Sequence, residues 1–139
     1  MNILALVVGF LIAAWVIIIF KSQKLENTIW AYPLLLASFP LYYWVFAIAA
    51  NDYPALLMEI IIGLIYFLAA FIAYKFKSFL TMFLLGIGFV SHALYDIFHD
   101  NLFNNRGTPI WWPEFCGAVD ILIGFYVLYY IAFPFKSKT

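Results

Sequence analysis

The sequence predicts an all-α integral membrane protein with five transmembrane helices, its N-terminus outside and its C-terminus cytoplasmic. Three observations predict it. The 139 residues are 68% hydrophobic and only 10% charged, whereas soluble domains run near 45–50% apolar and about 25% charged. Continuous apolar runs of the length that spans about 30 Å of hydrocarbon recur along the whole chain. The basic residues divide six to one between the two sides that five alternating spans would create.

The first run covers about 3–20. Lys21 and Lys24 follow it rather than precede it, the pattern of a retained anchor with a translocated N-terminus and not of a cleaved signal peptide. The second covers about 30–50 and contains Pro40, predicted to kink the helix beside Tyr42 and Tyr43. The remaining spans fall at about 55–74, 79–99 and 114–134. Continuous apolar runs, not ten-residue alternations, argue against a barrel. Residues 1–139 therefore form one transmembrane helical domain. Connections are short except at 100–113, where turn formers mix with Leu102, Phe103, Ile110, Trp111 and Trp112. That segment is expected to lie on the membrane surface as a partial lid.

Lys21, Lys24, Lys75, Lys77, Lys136 and Lys138 share one side, and Arg106 alone holds the other. Positive charge stays in the cytoplasm, which sets the orientation and places the chain in a plasma or inner membrane. Seven basic residues balance seven acidic ones, so nucleic-acid binding has no electrostatic footprint. A lone cysteine, Cys116, excludes an intrachain disulfide framework and a cysteine-based zinc cluster, and reads as a small buried apolar residue.

Ionisable residues inside apolar spans cost about 2.5–3.5 kcal/mol each at a helix centre and mark functional interiors. On the fourth span His92, Asp96 and His99 follow i, i+4, i+7 spacing and share one face, with Tyr95 extending the stripe. Glu59 near the start of the third span and Asp120 in the fifth reach the same depth, and Gly63 and Tyr66 continue the face of Glu59. Cys116, Gly117 and Gly124 share the side of Asp120, leaving room for a close neighbour or a ligand. Glu114 starts the fifth span, where its charge suits the helix dipole. The polar site thus faces the non-cytoplasmic side.

Three readings of this cluster stand side by side. His92, Asp96, His99 and Asp120 suit one divalent transition metal, namely zinc, iron or manganese. Glu59, Asp96 and Asp120 suit acid–base work, with Glu59 as the base that activates water. A hydrogen-bonded His–Asp network that locks helix packing needs neither metal nor ligand. Tyr42, Tyr43, Tyr66 and Tyr95 line a pocket for an acyl or isoprenoid chain in the ligand-binding reading. Arg106 pairs with Asp100 or holds a lipid headgroup, and Glu114 sits at the mouth.

The His92-x-x-x-Asp96-x-x-His99-Asp100 pattern resembles the histidine and aspartate sets of intramembrane zinc amidases of the ceramidase type. The resemblance implies metal-assisted hydrolysis of a membrane lipid. Those proteins use a third metal histidine, and this chain has two histidines in all. The expected function is a lipid- or isoprenoid-modifying enzyme. A non-enzymatic carrier or binding protein for a cation or amphiphile is the alternative, as is an accessory subunit. The expected partners are a membrane lipid or other amphiphile and, within the membrane, further copies or a larger complex.

Overall fold

A computed structural model describes residues 2–133. They form α1 (Ile3–Ser22), a 3-10 turn (Leu25–Asn27), α2 (Ala31–Ala49), α3 (Tyr53–Phe76), α4 (Phe79–Leu102) and α5 (Trp112–Ala132). There is no strand among these residues. All five helices are long and apolar enough to cross a membrane. Lys136 and Lys138, used above for orientation, lie outside the described residues.

Local chemistry sets the helix starts. Asn2 caps α1 by accepting the Ala5 N–H at 3.0 Å, and Asp52 caps α3 by accepting that of Ala55 at 3.3 Å. Ser78 and Thr81 form a reciprocal capping box on α4. Each cap satisfies a backbone donor that the helix itself leaves open. Pro54 and Pro113 sit in the first turns of α3 and α5, where a missing N–H removes no helical bond.

The long connection is shorter than expected. α4 continues through Asp100 to Leu102 and α5 begins at Trp112, so the irregular segment is 103–111. Pro40 lies inside α2, buried against α3. A Cβ on Gly63 would stand 3.0 Å from the Pro40 Cβ and 3.1 Å from the Trp44 ring. Gly63 thus lets α3 approach α2 at Pro40, where the helix interior lacks a backbone donor.

α5 packs on both α1 and α4, α2 packs on α3, and α4 joins the two halves. α1 approaches α5 through Ala5, Gly9 and Ala13, all buried; a Cβ on Gly9 would collide with the Phe115 carbonyl oxygen. The apolar core runs from Leu36, Phe39 and Phe89 to Ile123 and Val127. Tyr32 and Trp112 belong to the core, although both lie near helix starts. Trp112 opens the helix that packs between two others, so its ring faces inward.

Alternation of the helices is tied down at both ends. Tyr126 and Tyr130 of α5 donate to Glu26 and Asn27 in the first connection, each at 2.7 Å. At the opposite end the Asn2 N–H donates to Glu114 at 3.0 Å, and Arg106 meets Asp52. The polar residues gather in this second half of the bundle.

Candidate functional site

α4 carries the site because it alone packs on α2, α3 and α5. His92, Asp96 and His99 are each fully buried, as their common face predicts. Two adjoining nests result.

The first nest lies between α4 and α5. His92 Nδ1 stands 2.7 Å from Asp120 Oδ2 and 3.4 Å from Asp96 Oδ2. The Cys116 thiol lies 3.9 Å from the same Asp120 oxygen. One ligand atom from each of His92, Asp96, Cys116 and Asp120 falls within 4.8 Å of every other, and all four residues are buried. Tyr43 of α2 closes the nest by donating its hydroxyl to Asp96 Oδ1 at 2.7 Å, and the Tyr66 ring packs edge-on against His92 at 4.7 Å.

The second nest lies between α3, α4 and the 103–111 segment. Glu59 accepts three hydrogen bonds: from Tyr95 Oη at 2.6 Å, Asn105 Nδ2 at 3.0 Å and His99 Nε2 at 2.8 Å. The other His99 nitrogen faces Asp100 Oδ1 at 3.1 Å. Trp44 Nε1 donates to the Glu59 carbonyl at 3.0 Å. A carboxylate with this many donors is held in one orientation.

The expected cluster is therefore present but divided. His92, Asp96 and Asp120 converge, and His99 joins Glu59 instead. Cys116 takes the fourth place, a role that its lone occurrence did not suggest. The signal was its i, i+4 spacing to Asp120 on α5. Asn105, in the loop, had no sequence signal at all.

Tyr43, Tyr66 and Tyr95 line these nests, whereas Tyr42 is half-exposed and packs on Trp112 at 5.1 Å. Arg106 pairs with Asp52 and not with Asp100, the carboxylate expected for it. Its Nε and backbone N–H reach Asp52 Oδ2 at 3.2 and 3.3 Å. The Arg106 N–H, foremost, then the Ala55 N–H and the guanidinium hold the Asp52 carboxyl below its ordinary range. Gly107 follows, and a Cβ there would collide with the Phe46 carbonyl oxygen of α2. The segment is thus pinned over the second nest.

The first nest is not self-sufficient. Asp96 Oδ2, Asp120 Oδ1 and His92 Nε2 accept or donate no hydrogen bond among the described residues, though each is buried. Two carboxylates face one imidazole across this buried nest, more acceptor oxygens than the imidazole can serve. Buried charges are normally paired, protonated or bound to metal. An N, O, S, O donor set of this kind suits a transition metal of borderline softness.

The chain matches no protein-family model, no curated protein and no solved structure. Fold and site define it as a polytopic helical protein with a buried His/Asp/Cys cluster compatible with a metal site.

Proposed function

We propose that this is an integral membrane protein that binds one divalent transition metal, zinc, iron or manganese, through His92, Asp96, Cys116 and Asp120. Its site lies in the non-cytoplasmic half of a plasma or inner membrane. The observation that carries the reading is the mutual 4.8 Å limit on four buried ligand atoms from two helices. Bonds of about 2.0–2.3 Å place tetrahedral ligand atoms about 3.3–3.8 Å apart, so the widest pair must draw in by roughly 1 Å.

The chemistry proposed is lipid- or isoprenoid-modifying. A bound metal polarises a carbonyl or lowers the pKa of a water. Tyr43 stands ready beside Asp96 to hold a proton, and the Glu59–His99 pair lies behind it, separated from the metal nest by the Tyr43 ring. In this arrangement Glu59 positions His99 through a hydrogen bond.

A second reading keeps the nest metal-free, with a proton shared among His92, Asp96 and Asp120. The 2.7 Å separation of His92 Nδ1 and Asp120 Oδ2 favours it, being a hydrogen-bond length and shorter than a tetrahedral edge. Cobalt substitution separates the two. Cobalt-loaded protein is expected to show thiolate-to-metal charge-transfer absorption that Cys116→Ser abolishes while d–d bands persist. Absence of that absorption at saturating cobalt contradicts the four-residue centre. Orientation is tested with a membrane-impermeant maleimide in intact cells: Asn104→Cys is labelled from outside, and Ser78→Cys only after permeabilisation.

A further inference from the structure

The second nest holds a buried histidine between two carboxylates. Glu59 and His99 are both buried. His99 Nε2 stands 2.8 Å from Glu59 Oε1, and its Nδ1 stands 3.1 Å from Asp100 Oδ1. A neutral imidazole carries one N–H and serves one carboxylate; only the imidazolium donates to both. Tyr43 of α2 stacks on the ring at 4.5 Å, and an aromatic face favours a cation. Tyr95 of α4 crosses the ring at 5.4 Å and gives its hydroxyl to Glu59. From α5, Cys116 joins the cluster that Tyr43 and Tyr95 form. Arg106 is engaged by Asp52. Among the described residues, the cation beside Glu59 is therefore the proton on His99.

One wall of this nest is not a helix. Asn105, in the 103–111 segment, uses both ends of its side chain. Its Nδ2 donates to Glu59 Oε1 at 3.0 Å and to the Tyr43 carbonyl at 3.2 Å. Its Oδ1 accepts the Gly107 N–H at 3.1 Å, and its carbonyl accepts that of Thr108 at 3.0 Å. The Glu59 oxygen that takes His99 thus also anchors the segment. Loss of the proton leaves a buried carboxylate without its cation, which burial penalises strongly. Water reaches that carboxylate most directly where the segment covers it. The Asp100 side chain is 77% exposed, so it connects His99 to solvent while the segment stays in place.

We infer that 103–111 is a proton-operated latch, closed over the site while His99 bridges Glu59 and Asp100 as an imidazolium and released when that proton leaves. This goes beyond the proposed function and uses none of the four metal ligands. Closure binds one proton more than the open state, so the closed population falls about tenfold per pH unit once the proton is lost.

The test is amide exchange of the full-length protein in phosphatidylcholine nanodiscs, corrected for intrinsic rates, from pH about 6 to about 9. Asp52 stays ionised throughout this range. Protection of 103–111 should hold near neutral pH and then fall about tenfold per pH unit. Glu59→Gln keeps an acceptor for Asn105 but removes the buried charge, so protection should remain and the step disappear. His99→Gln keeps one donor without a titrating proton, so protection should be weaker and show no step. Nitrogen-15 NMR of histidine-labelled protein should find both His99 ring nitrogens protonated below the step and one above it, with His99→Gln supplying the assignment. The step should survive chelator treatment, which separates the latch from the metal centre. Flat protection above neutral pH in the wild type, or a step that persists in Glu59→Gln, would overturn the latch. So would a single protonated His99 nitrogen while the segment is protected.

Discussion

Tyr43 and Asp96 join the two halves of the site. The Tyr43 hydroxyl donates to Asp96 Oδ1 at 2.7 Å, while the same ring stacks on His99 at 4.5 Å and 18°. The Tyr43 carbonyl also accepts from Asn105 at 3.2 Å. One residue of α2 thereby touches the nest on α5, the nest on α3 and the loop above them.

Tyr43→Phe should therefore do more than remove a hydroxyl. It leaves a buried carboxylate oxygen without its donor, which costs about 1–3 kcal/mol. It should also weaken metal binding about 10–100-fold, the usual effect of losing a partner that orients a ligand. Denaturant titration in mild detergent and chelator competition check the two effects separately.

The Asp52–Arg106 contact sets a pH dependence. The folded-state pKa of Asp52 is depressed by the N–H groups and the guanidinium around it. Its contribution is thus fully present above the unfolded value near 3.9 and is lost as pH falls through the lower folded value. Amide exchange across 103–111, corrected for intrinsic rates, should show protection that holds from neutral pH to about 4 and fails below it. In Asp52→Asn the protection should be weaker at neutral pH and lose this acid step.

Gly107→Ala should release the same segment by a different route. The added Cβ meets the Phe46 carbonyl oxygen, a backbone atom that cannot rotate away, so the loop must move. Asn105 then withdraws from Glu59. Limited proteolysis should cut 103–111 faster in the variant, with little change in helix content by circular dichroism.

Much of the fold was legible because a helix that crosses hydrocarbon must be apolar over a fixed length. That requirement located all five helices to within a few residues. The depth of the polar residues was legible for the same reason, and so was the shared face of His92, Asp96 and His99. How that face divides was not. Three residues advance a helix by about 300°, so His99 points about 60° away from Asp96. That difference turns Asp96 toward α5 and His99 toward α3, and it depends on how the helices rotate against one another. Cys116 was placed on the side of Asp120, but a single thiol gives no sign of acting as a ligand until the distances are known. Arg106 and Asn105 lie in a segment without periodicity, where no spacing foretells a partner.

The central claim is the metal nest, and metal content by mass spectrometry tests it most directly. The measurement is made on protein purified without a histidine tag from metal-replete cells, with His92→Ala and His99→Ala beside it. The account predicts close to one transition metal per chain in the wild type, loss of it in His92→Ala, and retention in His99→Ala. Metal-free wild-type protein, or metal kept by His92→Ala and lost from His99→Ala, would contradict it.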